Sequence, residues 1–357
     1  MQNAVRQFWL GAVCSVALLA QNMPPGTQVI ASTVPANGDV NPYGIAIAPV
    51  TGGNLTAGNI LVSNFNNSSN LQGTGTTIVQ VTPGGTQSLF AWINADALPG
   101  SCPGGIGLTT ALAALPSGWV IVGSLPTTDG TSATAQAGCL LVLDWWGNVV
   151  ETIANSWING PWDMAAVQQG SQAFLFVSNV LNGTVAGGGN VVNEGSVIRI
   201  TLDLSSAAPP AVDSIVTIGW GFSERTDPAA LVIGPTGLGL APGGTLYVAD
   251  SLNNRIAAIP DALTTQDSAG TGTTVFMGGP LNDPLGLTIG VHEGNIQTVN
   301  GNNGLFVATT PAGATAAKTV LDSSGRPPGD GALFGLVDSG AGIYYVDDAT
   351  NTLNIFK

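Results

Sequence analysis

The sequence predicts an all-β fold, and its composition, the length of its apolar runs and their repetition each support this prediction. The 357 residues include 50 glycines and 22 prolines, which indicates many tight turns. Hydrophobic residues make up 44% of the chain and charged residues only 8%, so the chain can bury a large core but lacks the charged surface typical of long helices. Short apolar runs bounded by Gly, Asn, Asp and Pro recur along the chain, as is typical of β-strands.

The apolar runs are organised in a repeated unit. Its clearest copy is GPTGLGLAPGGTLYVADSLNNRIAAI, residues 234–259, in which a Gly-led run, a turn and a second apolar run precede a polar turn and a third run. A single four-stranded sheet cannot bury both of its faces, whereas six sheets stacked around an axis can. The copies therefore predict a six-bladed β-propeller. The five further copies begin near residues 41, 104, 160, 282 and 332.

The two ends of the chain are predicted to share the last blade. The sixth copy ends after three strands, at Phe356, and the segment TQVIASTVP, residues 27–35, is strand-like without a unit of its own. If this segment supplies the fourth strand, the ring closes and the last blade loses an exposed edge. The predicted domain is one propeller over residues 27–357.

The first 20 residues have the features of a signal peptide. Arg6 gives a positively charged start, and residues 10–20 form an apolar run that is too short to cross a membrane. We expect cleavage near Ala20 and a secreted or periplasmic protein; the alternative is a buried N-terminal segment in a cytosolic protein. No later run is apolar for long enough to span a membrane, so no span is expected in the mature chain.

Cysteine usage fits an oxidising compartment. Removal of the leader takes away Cys14 and leaves Cys102 and Cys139, an even pair. We predict a disulfide between these two residues, with two buried free thiols as the alternative. A metal site built from two cysteines and one distant histidine is disfavoured.

The charge of the chain narrows the range of partners. Seven basic and 21 acidic residues give a formal net charge of −14, whereas contact with nucleic acid phosphates requires a basic surface. Nucleic acid is therefore excluded as an expected partner, and anionic membrane surfaces are disfavoured. A protein, a neutral glycan, a small molecule or a cation is compatible with this charge.

Residues 237–259 resemble the NHL repeat, whose pattern is a Gly-led strand, then LYVAD, then NNRI. The other copies match it in outline. The turn residues Asp250 and Asn253 suit local hydrogen bonds, and Arg255 is placed to pair with Asp250. The resemblance implies a propeller with a binding face but no single activity. We expect a noncatalytic module that binds a ligand or a protein through one face, without a cofactor.

The predicted binding face is the one where the loops entering each first strand and those leaving each second strand converge. Polar and aromatic side chains are concentrated at these positions. Trp157 and Trp162 flank the turn into the third copy, and such aromatic rings beside acids suit a carbohydrate or a cationic ligand. The candidate ligand-binding residues are Tyr43, Asn64, Trp162, Asp163, Asn179, Asp227, Asp250, Asp283 and Asp347.

The second hypothesis is a calcium-dependent lactonase-like hydrolase. It follows from a distant resemblance to gluconolactonase-like propellers, which hold a divalent cation on the axis through Glu, Asn and Asp, the hard oxygen ligands that calcium prefers. The chain departs from that family where NPYG, residues 41–44, provides no acid at the entrance to the first blade. The resemblance implies acids at the channel mouth as ligands or bases, with Asp163, Asn179, Asp250 and Asp347 as candidates.

Two further features are expected away from that face. His292, the only histidine, falls in the loop between the first two strands of the fifth copy, which opens on the opposite face. A Ser-His-Asp triad would require it and no G-x-S-x-G turn is present, so hydrolases of that type are excluded. Trp145 and Trp146 are adjacent in an expected strand, so one of them should pack between blades and the other should face outward.

Overall fold

The computed structural model describes residues 24–206, 208–228 and 230–357, and its strands form six antiparallel sheets. The prediction of a six-bladed β-propeller is thereby confirmed. The predicted signal peptide, residues 1–20, lies outside the described residues. In the ranges described, the α-helix is the single turn α1 (Thr184–Gly187), and no helix is both long and apolar enough to cross a membrane.

The blades follow one another along the chain, each starting with its innermost strand. Blades 1 and 2 consist of β2 (Val40–Ile47), β3 (Ile60–Asn66), β4 (Thr77–Val81) and β5 (Gln87–Trp92), then β6 (Leu108–Ala114), β7 (Val120–Ser124), β8 (Cys139–Leu143) and β9 (Val149–Ile153). Blade 3 consists of β10 (Pro161–Gln169), β11 (Gln172–Asn179), β12 (Val192–Asp203), β13 (Ala211–Asp227) and β14 (Leu231–Ile233). Blades 4 and 5 consist of β15 (Pro235–Leu240), β16 (Leu246–Asp250), β17 (Arg255–Ile259) and β18 (Thr273–Met277), then β19 (Pro284–Ile289), β20 (Ile296–Asn300), β21 (Leu305–Thr309) and β22 (Thr315–Val320). Blade 6 consists of β23 (Leu333–Asp338), β24 (Ile343–Asp347), β25 (Thr352–Phe356) and the N-terminal strand β1 (Thr27–Ser32).

Strand β1 closes the ring, as predicted. It pairs antiparallel with β25, and the register places Thr27 opposite Phe356 and Ser32 opposite Thr352. The hydroxyl of Thr33 then donates a hydrogen bond to the carbonyl oxygen of Asn351 at 3.0 Å. The outer edge of β25 is therefore covered by a strand from the other end of the described chain.

Glycines allow the innermost strands of neighbouring blades to approach each other closely. A Cβ atom at Gly286 would overlap the carbonyl oxygen of Phe334 in the next blade, and one at Gly335 would overlap the carbonyl oxygen of Tyr43. The Gly-led run of the repeat thus reflects crowding around the axis. Farther out, apolar side chains pack between adjacent sheets, and Val142 of blade 2 and Leu175 of blade 3 are fully buried in one such cluster.

Cys102 and Cys139 form a disulfide with a Cα–Cα distance of 5.3 Å. The bond joins the connection between blades 1 and 2 to the first residue of β8. The prediction of this disulfide is confirmed, because the two residues meet although they lie 37 positions apart in the sequence.

The prediction for Trp145 and Trp146 was wrong. Both residues lie in the turn between β8 and β9, where the carboxylate of Asp144 accepts a hydrogen bond from the Trp146 amide at 2.9 Å. Gly147, with φ of 85°, completes the turn. Alternation across a strand therefore does not apply, and both indole rings are about half exposed.

Candidate functional site

The propeller has an upper face, on which the first strand of each blade begins, and a lower face, on which it ends. The register brings the start of each first strand beside the end of the second, so Pro161 lies opposite Asn179 and Pro235 lies opposite Asp250. Most of the candidate residues therefore lie around the upper face. Two positions differ from expectation: Asp163 lies deeper, as the third residue of β10, and Asp227 ends the long strand β13 instead of standing in a loop.

Four aromatic rings from blades 1, 3 and 6 meet across the axis below the upper face and form an aromatic plug. The centroid of Tyr43 lies 3.9 Å from that of Phe334, 4.5 Å from that of Phe65 and 6.4 Å from that of Trp162. Each of these side chains is at most 3% exposed. Tyr43 and Trp162 are therefore core residues here, and their contact with a ligand stays a prediction.

The β13–β14 hairpin lies against this plug. Arg225 in β13 is opposite Ile233 in β14, and Leu231 to Ile233 are buried in the same apolar cluster as Tyr43 and Trp162. Leu231 has φ of 64°, a conformation that costs free energy for a residue with a branched side chain and persists only where packing enforces it. The hairpin and the plug together close the axis on the upper face.

Asp250 is bound within its own turn. Its carboxylate accepts hydrogen bonds from Arg255 Nε at 2.8 Å and from Asn253 Nδ2 at 2.9 Å, and Arg255 Nη2 lies 2.7 Å from Asp250 Oδ2. The predicted pairing of Arg255 with Asp250 is confirmed. Burial raises the pKa of Asp250, and the charge of Arg255 acts in the opposite direction. The carboxylate thus serves to fix the turn that follows β16.

The two candidate asparagines are also engaged by the fold. Asn64 Nδ2 donates to the carbonyl oxygen of Thr33 at 3.1 Å, which ties blade 1 to the segment after β1. Asn179 Oδ1 accepts a hydrogen bond from the backbone amide of Asn159 at 3.0 Å, which fixes the entrance to blade 3. Both side chains are fully buried, so neither is presented to solvent.

Acidic side chains surround the plug on the upper face. Asp227 forms an ion pair with Arg225 at 2.9 Å. Burial, together with the nearby charges of Asp227 and Asp330, raises the pKa of Asp283 to about 7, although Arg225 opposes this shift. A buried carboxyl close to like charges favours its protonated form.

The same effect operates beside β24. Burial and the neighbouring carboxylate of Asp322 raise the pKa of Asp347 to about 7. Burial and the charge of Asp347 raise the pKa of Asp348 to about 7 as well. These carboxyl groups therefore hold protons up to neutral pH.

Two of the four residues named for the calcium site of the second hypothesis, Asn179 and Asp250, are engaged within the fold. Within the described ranges, no group of three or more His, Cys, Asp or Glu side chains is arranged to hold a metal ion. Asp250 is neutralised by Arg255, and the side-chain oxygen of Asn179 accepts a backbone hydrogen bond. Calcium requires six to eight oxygen ligands, and these two residues have little capacity left to contribute to such a site.

Below the plug, the six first strands enclose a channel of about 340 Å³. Residues at the lower ends of these strands, such as Ala166, Ile289 and Val337, are half-buried, whereas the residues nearer the plug are buried. The channel is therefore closed at the upper face and opens on the lower face. Its wall includes Ile45, Thr110, Leu238, Gly286 and Gly335.

Asp163 lies at the closed end of this channel, next to Trp162 of the plug. One carboxylate oxygen, Oδ2, accepts a hydrogen bond from the backbone amide of Leu238 at 2.8 Å, which joins β10 to β15. Burial raises the pKa of Asp163 to about 7, and hydrogen bonds from the Leu238 and Met164 amides act against this shift. Among the described residues that line the channel, Asp163 is the only one that can ionise.

Sequence reasoning missed two hydroxyl groups, those of Thr109 and Thr110, which share a cavity with the candidate residue Tyr43. The side-chain oxygens of Tyr43, Thr109 and Thr110 are buried without a hydrogen bond of good geometry in the described part of the chain, and all three residues line a cavity of about 10 Å³. A cavity of that volume with several polar groups has room for about one water molecule. The repeat gave no signal for it, because the hydroxyls come from two different blades.

Glu224 was also missed. It is fully buried in β13, and the Asn182 backbone amide lies close enough to its carboxylate to favour the ionised form. Burial, with a contribution from the charge of Glu194, raises the pKa of Glu224 to about 9. The surrounding sequence GFSERTD is polar and indicates a solvent-facing segment, so the burial depends on tertiary packing.

No protein-family model and no curated protein sequence matches the chain. The resemblance to the NHL repeat therefore stays a resemblance in sequence.

Solved structures with the same fold are numerous. A calcium-binding protein, regucalcin, from Agrobacterium tumefaciens strain C58 is 13% identical, with a TM-score of 0.57 over 92% of this chain and 93% of that one. A luciferin-regenerating enzyme is 12% identical, with a TM-score of 0.57 over 93% and 94% of the two chains. A PQQ-bound aldose sugar dehydrogenase from Streptomyces coelicolor is 15% identical, with a TM-score of 0.51 over 93% and 98%. At these identities the similarity shows a shared propeller fold.

Proposed function

We propose that this protein is a noncatalytic binding module that takes a small molecule into the central channel from the lower face. The observation that supports this best is the asymmetry of the axis. The plug and the β13–β14 hairpin close the upper end, and a cavity of about 340 Å³ opens at the other end. This volume lies within the range of about 300 to 1,000 Å³ that is usual for small-molecule sites.

The composition of the channel wall supports binding without catalysis. Efficient catalysis usually combines a general base or nucleophile with further positioned groups that stabilise the charge developing in the transition state. Asp163 is the single ionisable residue among those described in the wall, and its nearest polar contact is the amide of Leu238. A lone carboxyl can orient a ligand, and the described wall offers no second charged side chain to stabilise a transition state.

We also propose that the protein works outside the cytoplasm, either secreted or in the periplasm. The Cys102–Cys139 disulfide supports this location, because such bonds persist mainly in oxidising compartments. Export is tested by fractionating the native host and sequencing the N-terminus of the mature protein. A cytoplasmic protein that keeps residues 1–20 would contradict the proposal.

The channel is tested by blocking its mouth. Ala166 lines the lower end of the channel, so Ala166→Phe should abolish binding of a small apolar alcohol such as 1-hexanol, measured by saturation-transfer NMR. Ala341 is exposed in the β23–β24 turn, also on the lower face, and Ala341→Phe is the matched control that should keep binding. Equal binding by the protein and Ala166→Phe, or no binding at all, would overturn the channel site.

The second candidate remains a calcium-dependent lactonase-like hydrolase. Its support is that propellers with a similar fold include a calcium-binding regucalcin and a luciferin-regenerating enzyme. A bound cation stabilises the native state, so the melting temperature would fall with EDTA and recover with calcium. That response, together with hydrolysis of lactones, would favour the hydrolase over the binding module; an unchanged melting temperature and no hydrolysis would remove it.

A further inference from the structure

The wall of the channel combines aliphatic side chains with exposed polar groups, and polar atoms make up the larger part of its surface. Along the strands it presents aliphatic side chains such as Leu112, Leu287 and Leu336, together with small residues that leave room near the axis. The hydroxyl-bearing residues Thr110 and Thr288 are the uncharged polar side chains described in it. A ligand that fills this space therefore meets aliphatic side chains as well as polar groups of the strands.

Asp163 supplies the polar end of the site. Its side chain lines the channel, and the residue is 8% exposed. A carboxylate offers about four acceptor positions, and the amides of Leu238, at 2.8 Å from Oδ2, and Met164 occupy two of them. Acceptor capacity is therefore left for a donor that arrives from the channel.

The protein provides no cation for this carboxylate. Within the described ranges the salt bridges are Arg225–Asp227 and Arg255–Asp250, and neither involves Asp163. An ionised carboxylate with little access to water favours a positively charged hydrogen-bond donor. The formal net charge of −14 also attracts cations and repels anions.

The depth of the channel limits the size of the ligand that can bring a hydrogen-bond donor to Asp163. Asp163 and Ala166 are three residues apart on β10, which corresponds to a depth of about 10 Å at the rise of a β-strand. A bare metal ion needs several oxygen ligands, whereas this wall offers one carboxylate. A small organic cation with a short carbon chain suits the carboxylate and can pack its chain against the aliphatic side chains of the wall.

We propose that the channel binds a small organic ammonium compound, with its nitrogen at the Asp163 carboxylate and its apolar body along the six first strands. This inference rests on the proposed channel function and names the class of its ligand.

The test compares three probes that share a six-carbon tail: hexylamine, 1-hexanol and hexanoate. Affinities are measured by calorimetry or saturation-transfer NMR at pH 8, where Asp163 is mostly ionised. Because a charge-assisted hydrogen bond exceeds a neutral one, hexylamine should bind about tenfold more tightly than 1-hexanol, and hexanoate should bind most weakly. Asp163→Asn should remove the preference for the amine, because its amide oxygen can still accept the Leu238 hydrogen bond but carries no charge.

Asp338→Asn is the matched control. Asp338 ends β23 on the lower face, where its carboxylate accepts hydrogen bonds from Gln297 Nε2 at 3.0 Å and the Gly340 amide at 2.7 Å. This variant should keep the amine preference, and a loss here would place the preference at the mouth and overturn the role of Asp163. Equal binding of hexylamine and 1-hexanol, with both blocked by Ala166→Phe, would overturn the ammonium inference alone. Binding of neither probe would overturn the channel function itself.

Discussion

The ring of Tyr43 stacks on the ring of Phe334, with centroids 3.9 Å apart and an angle of 19° between the planes. This contact joins blade 1 to blade 6 at the axis, while the β1–β25 pairing joins the two ends of the propeller in the outer part of blade 6. The ring of blades is thus closed twice, near the axis by the aromatic stack and farther out by the strand pairing. The inner closure also separates the channel from the upper face.

The ring of Tyr43 takes part in this closure through stacking, whereas no contact of its hydroxyl group with the described residues strengthens it. No hydrogen bond of good geometry reaches the hydroxyl from the described residues; burial, with the charge of Asp348, raises the pKa of Tyr43, and the nearby Asn41 side chain acts against this shift. We expect Tyr43→Phe to be neutral or to raise the free energy of unfolding by about 1 kcal/mol, because an unsatisfied polar group is removed. Tyr43→Ala should lower it by about 3 to 5 kcal/mol, because the stack becomes a cavity. Urea denaturation measures both changes. A marked loss in Tyr43→Phe would mean that a buried water or another group satisfies the hydroxyl.

The Asp250–Arg255 pair is expected to behave as a buried ion pair. The two side chains are 0% and 9% exposed, and Arg255 also donates to the carbonyl oxygen of Thr271 at 2.9 Å. Arg255→Met should lower the free energy of unfolding by about 3 to 5 kcal/mol, because it leaves the Asp250 carboxylate buried and unpaired. Adding Asp250→Asn should recover part of that loss, and a double-mutant cycle in urea gives the coupling. Additive losses would show that the pair has no coupling.

Stability is expected to decrease as the pH rises from 5 to 8. The pKa values of Asp163, Asp283, Asp347 and Asp348 are raised to about 7, so the folded protein binds more protons than the unfolded chain between about pH 4 and pH 7. The stabilisation is present below the unfolded pKa and is lost as the pH passes the folded one. Melting temperatures across this range measure the effect, and a rise with pH would contradict it.

Asp283→Asn is a variant that isolates one of these groups. Asp283 has φ of 56°, a conformation that Asn tolerates well, and its Oδ1 has no hydrogen-bond partner in the described chain. The substitution removes the charge without changing the shape of the side chain. It should therefore stabilise the protein at pH 8 and have little effect at pH 5.

The repeat was sufficient to predict the fold because each of its features has a local cause. The Gly-led run reflects crowding at the axis, as at Gly286, and the polar turn after LYVAD is fixed by Asp250 and Arg255, which lie five residues apart. The closing strand was predictable for a similar reason, because the sixth copy lacked a fourth strand. Local patterns and copy counting thus determine the architecture.

The candidate site was harder to predict from the repeat than the fold was. The residues around the upper face were identified from their position in the repeat, but the repeat does not say what covers them. The cover comes from β13 and β14, whose sequence departs from the unit, and from the strained Leu231. Asp163 lies beyond the register shift that occurs near the start of the first strand in all six blades, so its depth reflects its position within β10. The upper face was predicted to be open and is closed, because it is covered by nonlocal packing that the repeat does not encode.

The last prediction concerns strand β1. A chain that begins at Val34 lacks β1, so the edge of β25 loses the partners that Thr27 to Ser32 provide. An unpaired edge is a template for another strand, so the truncated protein should unfold at a lower temperature and self-associate. A synthetic peptide of residues 27–35 should bind the truncated protein and restore its melting temperature, whereas a peptide of the same composition in scrambled order should not. Because the peptide supplies the same backbone hydrogen bonds in trans, recovery would show that β1 acts as a separable closing strand. A truncated chain that keeps its melting temperature would instead mean that the inner contacts, including the Tyr43–Phe334 stack, are enough to hold the ring closed.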